Sequence, residues 1–131
     1  SAGTQTAAIS VSGYPVRTNV ETYDGSSWTE TTDVPTGVND SIGAGTTTAC
    51  LFGFGRAGGS PVSVNAESYI FDGSSWTAVA DANAGKDRGT GCSGTTSLGL
   101  AVAGRGPGTS TNNFNDVEEW TQLQNIKVIT D

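Results

Sequence analysis

Apolar and polar positions alternate with a period of two through three related stretches of the chain. In Ser1 to Gly13, Ala7, Ile9 and Val11 point one way and Ala8, Ser10 and Ser12 the other. That period marks a β-strand with one apolar face. The alternation returns from Gly45 to Gly55, where Leu51 opposes Cys50, Phe52 and Phe54. It returns again from Gly94 to Gly104, where Leu98, Leu100 and Val102 oppose Gly99, Ala101 and Ala103. Each copy contains Gly-Thr near its start and closes on Gly. In the later two both faces are apolar or small, which predicts strands sandwiched between neighbouring layers.

A second repeated pattern follows each of these strands. Tyr23 to Trp28 reads YDGSSW, and Phe71 to Trp76 reads FDGSSW. Asp-Gly between β-rich runs is a strong hairpin signal, because Gly takes the positive φ of a tight turn and Asp tolerates it. A two-residue loop, Asp24-Gly25, sets Glu21 opposite Trp28; a four-residue loop, Asp24 to Ser27, sets Tyr23 opposite Trp28. Either register puts the aromatics on one face, as it does Tyr69, Phe71 and Trp76 around Asp72-Gly73. A hairpin cannot bury such a face alone, so its repetition predicts the stacking of one unit on the next.

Tyr23, Phe71 and Trp120 are spaced by 48 and 49 residues, which divides the chain into units of about 1–33, 34–81 and 82–131. Each linker, Thr31 to Ala44 and Ala80 to Ser93, is predicted to hold a turn and one more strand. The expected unit is therefore four antiparallel strands, the content of one propeller blade, with the Gly-Thr strand innermost. Ser1 aligns with Gly43, so the first unit is expected to lack its leading strand. The third unit keeps Val117, Glu118 and Trp120, replaces the DGSSW turn with Gln122 to Asn125, and ends in an alternating strand from Ile126 to Thr130. Two sheet faces are left open, to be covered by upstream blades or by other copies of the chain.

Composition narrows the function. A formal net charge of -7 disfavours nucleic acid and anionic membranes as partners. No apolar run is long enough for a membrane-spanning helix, and no charged-then-apolar stretch stands at the start of the given sequence, so neither a spanning helix nor a signal peptide is expected within it. There are no histidines, so a Ser-His or Cys-His nucleophile, a copper-radical site and a zinc site through Cys50 and Cys92 all lack ligands or bases. The two cysteines are expected to be buried free thiols, with a disulfide as the alternative.

The combination of GTQTAAISVSGY, VETYDGSSWTE, GAGTTTACLFGFG, the second DGSSWT and VEEWTQ resembles kelch-like β-propeller repeats. More narrowly it is similar to the Gly/Thr-rich tandem repeats of marine bacteriophage tail-fibre and structural proteins. The resemblance covers nearly the whole chain. A single Gly at Gly13, Gly55 and Gly104 replaces the usual kelch pair. The resemblance implies an all-β propeller or propeller fragment of about three four-stranded blades, in a non-enzymatic module on a virion surface. Its expected partners are a host glycan or surface protein, together with other copies of the chain, a trimer among the options, or further blades. No cofactor is expected. The alternatives are a secreted or cell-surface kelch-type interaction propeller and a carbohydrate-active enzyme.

Candidate sites follow from the repeat. Tyr14, Arg56 and Arg105 stand at the matching exits of the three alternating strands, each followed by a loop of variable length, and form the candidate ligand-binding rim. Trp28, Trp76 and Trp120 would suit sugar stacking, but their fixed register favours a place between units. Asp24 and Asp72 occupy the first position of their turns, which explains them without catalysis. Asp81, Asn83 and Asp87 alternate like calcium ligands, but Lys86 and Arg88 among them oppose a cation.

Overall fold

The computed structural model describes residues 1–58, 63–88, 91–106 and 113–121. The described residues are strands and turns with no helix, and all pairing is antiparallel. The first sheet runs in order through β1 (Ala2–Thr4), β2 (Ala7–Val11), β3 (Val20–Tyr23) and β4 (Trp28–Glu30). The second is built from β5 (Ile42–Thr46), β6 (Ala49–Gly53), β9 (Ser68–Phe71) and β10 (Trp76–Ala78). Between them in sequence, β7 (Arg56–Gly58) and β8 (Ser63–Val64) pair as a small separate ribbon, where a loop was expected. The third sheet contains β11 (Gly91–Gly94), β12 (Leu98–Arg105) and β13 (Asn113–Thr121). Each sheet is open-edged, and none closes on itself. The Gln122–Asn125 turn and the Ile126–Thr130 strand lie outside the described residues, as does much of the loop after Arg105.

The hairpin register is the four-residue one. Tyr23 pairs with Trp28 and Phe71 with Trp76. The Asp side chain makes this loop rigid: Asp72 Oδ1 accepts from the backbone N–H of Ser74 and Ser75 at 2.8 and 2.7 Å. Asp24 does the same for Ser26 and Ser27 at 2.8 and 2.9 Å. The aromatic pairs then stack at 5.1 and 4.8 Å between ring centroids.

Two expectations about the Gly-Thr stretches are corrected. They are hairpins rather than single strands. Thr4 pairs with Ala7 and Thr46 with Ala49, around two-residue loops. The repeated glycine allows the close approach. At Gly3, Gly45 and Gly94, φ lies between 116° and 127°, and an added Cβ would sit 2.0 to 2.3 Å from a carbonyl oxygen on the facing strand. The alternating strand is therefore second in its sheet, and the strand before the glycine comes first. The first unit also has that leading strand, as the three residues Ala2–Thr4. The leading strands β1, β5 and β11 lie beside one another in sequence order.

The sheets pack front to back. Ile9, Val11 and Val20 on the front of the first sheet join Cys50, Phe52, Tyr69 and Phe71 on the back of the second in one core, with Val34 and Val38 from the linker. Ile9, Val20 and Phe71 are fully buried. Trp76 packs edge-on against Phe52 at 5.9 Å, and its indole N–H donates to Thr32 O at 2.9 Å. Thr32 Oγ1 in turn donates to Ser74 O at 2.8 Å, tying the first sheet's exit to the second hairpin. The front of the second sheet meets the back of the third, where a Cβ on Gly99 would lie 2.7 Å from Leu51 Cδ2. Cys50 and Cys92 are free thiols.

Candidate functional site

The two junctions between sheets occupy equivalent places but are filled differently. Strand pairing aligns Cys50 with Gly99, Phe52 with Ala101, Tyr69 with Glu118 and Phe71 with Trp120. Two large side chains and a thiol thus give way to Ala, Glu and Gly, with a gain only at Trp120. A void follows from this loss of volume. A cavity of about 260 Å³ opens between the second and third sheets. Leu51, Ile42, Cys92 and Trp120 wall it, and its polar lining includes Ser68, Asp81, Asn83, Glu118 and Glu119.

The polar side of this junction is ordered by charge. Lys86 stands where the first junction has Val38, and is as deeply buried. Its ammonium pairs with Glu118, which replaces Tyr69. The other oxygen of Glu118 accepts from the Asn83 backbone N–H at 2.9 Å. A buried ammonium requires such a partner. Trp120 Nε1 is enclosed and has no hydrogen-bond acceptor among the described residues.

Among the described residues, the first junction has no such ion pair and instead surrounds one carboxylate, Glu67, with neutral hydrogen-bond donors. Thr36 and the Tyr69 hydroxyl lie 2.9 Å apart, and Tyr69 donates to Glu67 at 2.8 Å. Hydrogen bonds from Thr36, Asn65 and Tyr69 hold the Glu67 carboxyl below its ordinary value of 4.5.

At the candidate rim, each strand exit is clamped by the linker to the next unit. Gly13 N–H donates to Val38 O at 3.3 Å, beside a fully exposed Tyr14. Arg56 exchanges two backbone hydrogen bonds with Asn39, at 2.9 and 2.7 Å, and Arg105 does so with Asp87, both at 2.8 Å. The Arg105 guanidinium also grips the buried Asp87 carboxylate in a fork, at 2.9 and 2.5 Å. The hydrogen bonds to Asp87 raise the Arg105 pKa above its ordinary value. Arg88 adds a salt bridge to Asp40 at 3.3 Å. Two residues of the calcium-like run are therefore already engaged, Asp87 by Arg105 and the Asn83 amide by Glu118.

The remaining candidates fall apart in space and role. Asp24 and Asp72 are each occupied by their own serines, and the bonds from Ser27 and Ser26 lower the Asp24 pKa from 3.8 to about 2. Burial pushes the Cys50 thiol up to about 11. Trp76 is built into the first junction, Trp120 lines the second, and Trp28 lies half exposed on the outer face of the first sheet. Sequence reasoning missed Lys86 and Glu118. Superposing the units would have found them, since both differ from the preceding unit at positions that face each other.

No protein-family model matches the chain, and a search of curated proteins found no match.

Proposed function

We propose that this chain is a non-enzymatic structural and adhesion module, whose four-stranded units are successive blades of a kelch-like array. The second junction takes one sugar of a host-surface glycan, in the virion-surface setting of the phage repeats that the sequence resembles. The observation that carries the reading is the hollow second junction. There the Trp120 indole, whose N–H has no partner among the described residues, and the Glu118 carboxylate, held from behind by Lys86, line a cavity that the preceding junction fills. Aromatic faces with a few fixed polar groups are the usual make-up of small-molecule sites. Multivalent display would turn weak single contacts into useful avidity.

Titration of the isotope-labelled protein with a panel of mono- and oligosaccharides tests this. Shifts should centre on the Trp120 indole. Affinity should fall at least tenfold in Trp120→Phe and stay unchanged in Trp28→Ala, and the sugar should be recovered uncleaved. Binding that ignores Trp120, or turnover of the glycan, contradicts the reading.

A further inference from the structure

Among the described residues, the front of the third sheet is apolar and exposed: Leu98, Leu100 and Val117 are 61, 46 and 59% exposed. Strand pairing places Leu100 and Val117 at the positions of Ile9 and Val20 in the first sheet, both 0% exposed because the second sheet covers them. At the other end of the stack, the back of the first sheet carries Tyr23 and Trp28 at the positions of Phe71 and Trp76. Trp28 is 50% exposed there, whereas Phe71 is fully buried against the preceding sheet. The two open faces thus offer the apolar front and the aromatic pair of a contact that the chain already makes within itself, with Ser10 and Glu21 on the back where the second sheet has Phe52 and Tyr69.

We propose that the Leu100 face docks on the Trp28 face of a second copy of this chain, head to tail, repeating the internal sheet-to-sheet junction. The occupant follows from the repeat: the face that fits a Leu and Val front is a back bearing a stacked Tyr or Phe with Trp, and the first sheet presents one. Such a contact is heterologous, so each copy uses two different surfaces, and it ends in a ring if the rotation closes. On the propeller reading proposed above, propellers hold about four to eight blades. Six is the multiple of three in that range, which calls for two copies of a three-unit chain.

The test is the solution mass of the 131-residue chain and its face variants by light scattering, with circular dichroism as a check on folding. The wild type should have twice the 13.3 kDa chain mass. Leu100→Lys and Trp28→Lys should each run as folded monomers; Val117→Lys is a second probe of the first face. An equimolar mixture of Leu100→Lys and Trp28→Lys should recover dimers, because one front and one back remain intact. A Trp28→Lys protein that stays dimeric would mean a symmetric front-to-front contact and overturn the proposal. So would a folded wild-type monomer, the result expected if residues 122–131 of the same chain cover the face. A folded monomer that still binds glycan leaves the adhesion reading standing, whereas a dimer with no glycan affinity defeats adhesion and keeps the docking.

Discussion

Phe71 and Tyr23 occupy the same place in successive units but differ in what lies behind them. Phe71 is fully buried between the first and second sheets, stacked on Trp76 at 4.8 Å. Replacing it with Ala removes the ring from a closed core and leaves a cavity, a change that costs about 3–5 kcal/mol. Tyr23 lies on the uncovered back of the first sheet, and Tyr23→Ala forfeits chiefly its stack on Trp28, worth about 0.5–1.5 kcal/mol. With an unfolding entropy of about 2.1 cal/mol/K per residue, a chain of this length loses roughly 3–4 °C in Tm per kcal/mol. Phe71→Ala should therefore melt about 11–18 °C below its parent and Tyr23→Ala about 2–5 °C below. Both are to be made in the Leu100→Lys background, so that association between copies does not protect Tyr23. Thermal melts followed by circular dichroism supply the numbers. Equal shifts for the two variants would refute front-to-back stacking, since the asymmetry comes only from which face the next sheet covers.

Other outcomes follow from the hairpins and the charged junction. Gly45→Ala puts a Cβ 2.0 Å from Ala49 O at a backbone angle that Ala rarely adopts, and should lower stability by about 2–4 kcal/mol in urea melts; Gly43→Ala, at ordinary contact distances, should cost less than about 1 kcal/mol. Glu118→Gln removes the charge that the buried Lys86 ammonium pairs with and should destabilise by about 3 kcal/mol, while the double change Lys86→Val with Glu118→Tyr, which copies the first junction, should be neutral or stabilising. The turn carboxylates set an acid limit. Because the folded pKa of Asp24 is depressed to about 2 and that of Asp72 is also lowered, their contribution is whole above the ordinary 3.8 and fades as pH falls toward 2. The urea midpoint of the wild type should drop through that window, and an Asp24→Ala, Asp72→Ala variant should show a flatter profile; equal slopes would contradict this assignment.

Much of this architecture was legible in the chain. The hairpins at Asp24 and Asp72 and the shared face of Phe71 and Trp76 follow from local chemistry, and the structure retains them. The Gly-Thr hairpins were not legible. Thr46 to Thr48 is a β-favouring run without a turn residue, the loop holds Thr rather than Asn-Gly, and the glycine sits one residue before the turn. The candidate site was legible only in part. Trp120 stood out by its spacing, but the cavity beside it arises from residues that are small only by comparison with Phe52 and Tyr69. Lys86 and Glu118 are 32 positions apart, and no local pattern joins them. Arg105 was marked by its place in the repeat, while its hold on Asp87 depends on a linker path that composition does not specify.

The most direct test of the stacking is a nuclear Overhauser measurement on the Trp76 indole N–H. It should show a cross-peak to Thr32, 44 residues away, and slow exchange with solvent, because that N–H donates to the Thr32 carbonyl across the first junction. A Trp76 indole that exchanges freely and has no contact with Thr32 would mean that the second sheet does not lie against the first as described.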